Sequence, residues 1–369
     1  MTGLLKSRTK DGTNPAGADD SDVEPGGSFT SHRQVAHARN ASPFGPRRSV
    51  LPVTWTPWMQ AWDQALYGET GFYRQEAGPA GHFATASQGI PQIGELLARA
   101  LITLMDLESL DTFVDMGCGR GELLEQVHRL GPHIRCIGVD VVARPGLDAG
   151  IGWIQSPGGK QLPDELDAMT DALAFANEWL DVVPCPIAQI DDDGELRDVL
   201  VFPPSGEERL GDPVSSTDRQ WCQRFWPTDR LKPGDRVEVG GTRDTAWDDL
   251  VSRVASGLAV AVDYAHTIDS RPGLGTLTGF KQGRQVPPVP DGSCDLTAHV
   301  AMDSLTHDSI VDQRTVLKGL GISGETPSYD LSRRNPAEYL QSLSTASVAT
   351  LLTARGGLGD FLWVFTPVR

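Results

Sequence analysis

TFVDMGCGRGELLEQVHRLGPHIRCIGVD, residues 112–140, is the stretch whose reading decides the fold. It opens with an apolar run that carries Asp115, turns through glycines at 117, 119 and 121, and passes at once into the amphipathic segment ELLEQVHRL before a second apolar run ends on Asp140. Strand, glycine turn, helix and strand within roughly 30 residues make a βαβ unit, and a unit of that kind implies a parallel sheet covered by helices. Outward from it, GWIQS (152–156), ALAFAN (172–177) and LAVAVDY (258–264) read as further strands, the last preceded by a helical stretch around 245–254. FLWVFTPV (361–368) reads as a final strand, antiparallel and at the sheet edge.

Upstream, TWTPWMQAWDQALYG (54–68) predicts a helix with Thr56 as N-cap and Pro57 in the first position, its Trp58, Trp62, Ala65 and Leu66 forming a packing face. IPQIGELLARALITLM (90–105) places Ile93, Leu96, Leu97, Ala100, Leu101 and Leu104 on one stripe, as a helix covering a sheet would. Residues 1–45 are rich in Gly, Ser, Asp and Pro and show no apolar period; they read as a disordered tail. The expected organisation is therefore a tail (1–45), an N-terminal helical lid (46–110), a Rossmann-like core (111–184), an insertion or cap (185–256), and the rest of the core with a C-terminal segment (257–369). Trp221 and Trp226 are expected to pack inside the insertion.

The 369-residue chain carries a formal net charge of −17, which disfavours nucleic acid and anionic membrane surfaces as partners and favours a cationic one. Cys118, Cys136, Cys185, Cys222 and Cys294 show no CxxC pair or zinc spacing, so they are read as reduced thiols and no metal is assigned. His266 and His299 lack a third ligand at metal spacing. With no export signal and no run of about 18 apolar residues, the expected location is cytoplasmic.

The glycine spacing discriminates between cofactors. A dinucleotide fingerprint anchored at Gly117 needs its third glycine at 122, where Glu122 stands and would crowd a pyrophosphate. S-adenosylmethionine (SAM) has no phosphate. Asp115 can orient its ammonium, the turn's N–H groups can face its carboxylate, and Asp140 can accept both ribose hydroxyl protons. The expectation is an α/β Rossmann-like SAM-dependent methyltransferase with a mostly parallel sheet, helices on both faces and the insertion before its fifth strand. VVARPGLDAGI (141–151) is too short for a crossover helix and should leave the adenine side open. In FANEWLDVVP, Asn177 and Glu178 leave a strand's carboxyl end and Asp181 follows within a turn. Methyl transfer is an in-line displacement, so carboxylates here would grip a cationic nucleophile, accept its proton and, with Asn177, orient it.

These motifs resemble those of the MidA-like family of SAM-dependent methyltransferases, which includes the mitochondrial complex I assembly methyltransferase acting on a protein arginine. LYGETGFY (66–73) is similar to the family's start, GPAGHFATASQGIPQIGELL (78–97) to its GxxGDFxTSPExSxxFGELL, VDMGCGRGEL to its ELGPGRGTL, and ANEWLDVVP (176–184) to its ANEFFDALP. VDYAH (262–266), GTLTGF (275–280), CDLTAHV (294–300) and QRTVLKGLGI (313–322) resemble its DYGH, GTLRxY, ADLTAHV and QxxFLxxLGI, in that order. The resemblance spans about residues 60–325. It implies cofactor contacts at Asp115, Gly117, Cys118, Gly119, Gly121 and Asp140, a loop over the site formed by Gly81, Phe83 and Thr85, and an active edge at Asn177 and Glu178. The chain departs from the pattern at His82, Ser87, Gln88, Cys118 and Ala265, where the family has Asp, Pro, Glu, Pro and Gly. The implied acceptor is a protein side-chain nitrogen such as that of arginine; a small-molecule acceptor, or an idle SAM-binding assembly factor, remain the alternatives, and the oligomeric state is left open.

Overall fold

The computed structural model describes residues 54–75, 92–227 and 231–369. The tail assigned to 1–45, the loop residues Gly81, Phe83 and Thr85, and the departures at His82, Ser87 and Gln88 lie outside the described residues.

Seven strands form the main sheet: β1 (Thr112–Met116), β2 (Arg135–Asp140), β3 (Gly152–Gln155), β4 (Ala172–Asn177), β5 (Gly257–Asp263), β6 (Ser309–Asp312) and β7 (Leu362–Val368). Their order is β3-β2-β1-β4-β5-β7-β6, with β7 antiparallel to both neighbours and β1 to β5 parallel. This is the doubly wound order with one reversed strand slotted in near its far edge, and the order reverses between β1 and β4. The final strand is thus antiparallel as expected but not at the edge. Its neighbour β6 is a four-residue, half-buried segment with no apolar alternation to announce it.

Alternation along the strands sorts the core into two layers. Phe113, Leu173, Phe175, Val260 and Trp363 face α2 (Ile93–Glu108) and α3 (Glu122–Leu130), whose apolar stripes are buried against them. Val114, Ala174, Ala176, Ala259 and Ala261 face the other way, where small side chains make room for Trp247 and Leu250 of the helix Gly241–Ser252. That helix starts four residues earlier than the sequence suggested. No helix joins β2 to β3, so the short crossover is a loop.

The segment between β4 and β5 builds a second, antiparallel sheet from Ile187–Ile190, Leu196–Phe202, Glu207–Pro213 and Arg236–Glu238. Trp221 and Trp226 are buried with Val237 and Ile190 beneath it. The helix α1 (Trp58–Tyr67) buries Trp58, Trp62, Ala65 and Leu66 against this sheet and Leu296. Its start differs from the expected cap. Pro57 occupies the N-cap position at φ −54° and ψ 139°, and Thr56, which precedes a proline and is held extended, pairs with Val201 instead of capping. The strand Asp295–Thr297 of a small three-stranded sheet lies close to the carboxyl end of β4 through the contacts described below.

Candidate functional site

The carboxyl ends of β1 and β4 finish in register, Met116 opposite Ala176, at the point where strand order reverses. Ligands of open α/β sheets bind in the crevice outside such a point. Gly117, Gly119 and Gly121 turn the chain there at φ +67°, +63° and +87°, conformations that L side chains rarely adopt. A Cβ on Gly117 would also sit 3.2 Å from Trp179, and one on Gly121 would sit 2.9 Å from Leu147. The turn is therefore both left-handed and hemmed in, and the next residue begins α3.

Asp140 ends β2 against this turn, Oδ2 accepting the Gly119 N–H at 2.8 Å and Oδ1 the Val142 N–H at 3.1 Å. Burial pushes its carboxyl up to about 6 despite those donors. Asp115 is buried beneath the glycines, and desolvation, then the Asp140 charge, raises its pKa well above the carboxylate range. Among the described residues none donates a hydrogen bond to it. Cys118 is buried, its thiol pushed up by desolvation, so it acts as packing and not as a nucleophile. Beside Asp140 a cleft of about 360 Å³ is lined by Tyr73, Arg120, Val141, Val142, Ala143 and Gln155 among others. The loop that replaces a crossover helix supplies three of these residues.

Across the reversal point, Asn177 ends β4 and its Nδ2 lies 3.4 Å from Oε1 of Glu178. Glu178 adopts φ +52°, a strained conformation for a non-glycine residue, and its N–H donates to the Val262 carbonyl at 2.9 Å. Asp181 is buried and caps no helix. Its Oδ2 accepts the Thr297 hydroxyl at 2.6 Å, while Oδ1 is buried without a hydrogen-bond partner. Desolvation raises Asp181 to about 6.

Four more acidic or phenolic residues lie at this edge. Asp263 at the end of β5 is fully buried, and burial, then Asp181, pushes its carboxyl well up. Asp295, raised to about 7 chiefly by burial, accepts the Tyr73 hydroxyl at 2.8 Å. Tyr67 donates to the Val182 carbonyl at 3.0 Å and lies close enough to Asp295, Asp181 and Asp140 for all three to raise its pKa, after the larger effect of burial. The nearby buried cation, Arg243, spends its donors on the carbonyls of Val183, His299 and Asp181. Tyr67, Tyr73, Asp263 and Asp295 all fall within motifs of the sequence, LYGETGFY, VDYAH and CDLTAHV, but their type alone does not separate them from strand ends and packing residues.

Chemically, the glycine side offers a bare backbone, a buried acid and a strand-end acid, which suits a ligand with an ammonium and a ribose but no phosphate. The opposite side offers acceptors and few free donors, which suits a cation. Among the described residues no group of three or more His, Cys, Asp or Glu is placed to hold a metal, and no helix is long and apolar enough to cross a membrane.

Comparison with known proteins agrees with this geometry. Residues 143–319 match the sequence model of a family described as "Putative S-adenosyl-L-methionine-dependent methyltransferase", and residues 58–144 match that of an O-methyltransferase domain. No curated protein matches the chain. A Burkholderia thailandensis protein crystallised with S-adenosyl-homocysteine is 19% identical over 85% of this chain and 88% of its own, with a TM-score of 0.66. The native crystal structure of a protein of the same superfamily and organism is also 19% identical, over 85% and 87%, with a TM-score of 0.65. At that identity the likeness concerns the fold. Fold, turn and matched families together define the class: this chain is a SAM-dependent methyltransferase with a Rossmann-like domain. Within that class its ordered motifs resemble those of the MidA-like family, and residues 143–319 match the family model.

Proposed function

We propose that the enzyme methylates a cationic side-chain nitrogen of a protein, arginine being the acceptor that the carboxylates suit best. The observation that carries this reading is the set of acids Glu178, Asp181, Asp263 and Asp295 at one strand edge, with Arg243 committed to backbone carbonyls and Asp181 Oδ1 buried without a partner. Desolvated carboxylates that repel one another are poorly solvated by protein alone, and an enclosed guanidinium or ammonium supplies the missing donors. SAM, when bound, supplies an electrophilic sulfonium methyl.

The chain's own residues do the rest. Asp115, the Gly117–Gly121 backbone with Cys118, and Asp140 hold the cofactor; Gly81, Phe83 and Thr85 belong to the loop assigned over it. Glu178 grips the acceptor's N–H groups, with Asn177 fixing the orientation of Glu178, and Asp181 takes the released proton through Oδ1. A base near pH 6 is matched to a protonated acceptor that must lose its proton on transfer.

Incubation with methyl-labelled SAM and a lysate from a strain lacking the protein, followed by peptide mass spectrometry, tests this. Label on an arginine or lysine nitrogen of a protein supports the reading. Label only in the small-molecule fraction, or on oxygen, refutes it.

A further inference from the structure

We propose that Thr297 is a positioning residue that presents Asp181 to the methyl acceptor, with Asp263 and Arg243 holding the same residue's backbone. This rests on the reading of Asp181 as the acceptor's proton partner. Each polar group of Asp181 but one is occupied. Its N–H donates to Asp263 Oδ2 at 3.0 Å, alongside the Leu180 N–H at 3.1 Å. Its carbonyl accepts from Arg243 Nη2 at 2.8 Å and from the Ala298 N–H at 3.2 Å. Its Oδ2 accepts the Thr297 hydroxyl at 2.6 Å, and Oδ1 alone is left, inside the protein and unpartnered.

The arrangement has a directional logic. A carboxylate that can rotate offers either oxygen; one whose backbone is clamped from both sides and whose Oδ2 carries a short hydroxyl bond offers only the other. Thr297 is buried at the end of the strand that begins with Asp295, so its own placement is set by sheet pairing with Thr278. The hydroxyl also favours the ionised form of Asp181, opposing desolvation and the Glu178 charge, while Arg243 acts in the same sense as the hydroxyl. Asp263, Asp295, Tyr67 and Tyr73 are the other titratable groups that feel Asp181.

Thr297→Val keeps the shape and removes the donor; Thr297→Ser restores it. The carboxyl-carbon NMR titration of Asp181, assigned by its loss in Asp181→Asn, should move to higher pH by about one unit in Thr297→Val and return to the wild-type position in Thr297→Ser. Initial rates of label transfer from methyl-tritiated SAM to a pool of arginine- and lysine-containing peptides should fall roughly fivefold at pH 6 in Thr297→Val, with the deficit shrinking by pH 8, and stay within about twofold of wild type in Thr297→Ser. Affinity for S-adenosyl-homocysteine should be unchanged in both, which a general loss of structure would not allow. An unmoved Asp181 titration in Thr297→Val, or a Thr297→Ser enzyme as slow as the valine variant, overturns the proposal. Wild-type rates in Asp181→Asn overturn both this inference and the reading it rests on, whereas a slow Asp181→Asn beside a normal Thr297→Val overturns this inference alone.

Discussion

Asp295→Asn should make the protein more stable and a poorer enzyme, and the gain should depend on pH in a defined way. Asp295 Oδ1 accepts from the Tyr73 hydroxyl at 2.8 Å and from the Leu296 N–H at 2.9 Å, and both bonds survive with an amide oxygen. What disappears is the ionisation. Burial raises the carboxyl from 3.8 to about 7, so above pH 7 the folded chain holds a charge that the unfolded chain holds more cheaply. A rise of that size corresponds to about 4 kcal/mol at full burial. Because Asp295 is only half-buried, solvent screening brings the expected gain nearer about 2 kcal/mol. The folded pKa lies above the unfolded one, so stability lost to this group appears as pH rises from about 4 to about 7 and is constant beyond. Thermal melts followed by fluorescence should therefore show Asp295→Asn about 3 °C above wild type at pH 8 and level with it at about pH 3. A variant equally stabilised at both pH values, or destabilised at pH 8, would refute the electrostatic account, and undiminished methyl transfer would remove Asp295 from the acceptor site.

SAM at 100 times its dissociation constant should stabilise the protein by about 2.7 kcal/mol in a thermal melt, and NAD should not shift it. Gly119→Val, at φ +63°, should abolish that shift; normal SAM affinity by calorimetry would displace the cofactor from the turn. Asp140 titrates at about 6, and if its carboxylate grasps the ribose then SAM affinity should fall as pH drops from 7 to 5, with the Asp140→Asn variant showing a flat profile over the same range. Trp247→Ala, which empties the space between the helix Gly241–Ser252 and the alanine face of the sheet, should lower unfolding free energy by about 3–5 kcal/mol in denaturant titrations while leaving cofactor affinity of the folded fraction intact.

What was legible in the sequence follows from the range of the interactions involved. The unit from Thr112 to Asp140 could be read because its strand, turn and helix are each set by neighbours a few residues away, and the left-handed turn demands glycine whatever packs around it. Thr56 escapes a local reading because its capping chemistry competes with a distant partner, Val201, and loses to it where Pro57 holds the backbone extended. The last strand's position depended on β6, whose residues Ser309–Asp312 carry no period of their own. Among the site residues, Asp115 and Asp140 sit at strand ends that the pattern marks, whereas Asp263, Asp295, Tyr67 and Tyr73 become neighbours only when segments from both ends of the chain pack together.

The distribution of perturbed acids points the same way as the motifs. Glu95, Asp191, Asp312 and Asp360 are all lowered below the usual carboxylate range, and for three of them the largest cause is an arginine side chain. Asp115, Asp140, Asp181, Asp263 and Asp295 are all raised and lie at or beside the carboxyl ends of β1, β2, β4 and β5, while Asp63 on α1 and Asp198 and Asp244 between β4 and β5 are also raised by burial. A fold under selection for stability alone would pair or neutralise such groups, since each ionised, desolvated carboxylate works against folding. On the proposed function, the acids near the glycine turn would meet an ammonium and sulfonium, and those beyond β4 a protonated nitrogen. The acids that weaken the empty protein are therefore the groups that a bound cation would satisfy, and loading both sides should release protons near pH 6–7, measurable as a buffer-dependent heat of binding. Heats that do not vary with the buffer's ionisation enthalpy would mean that these carboxylates do not meet the ligands.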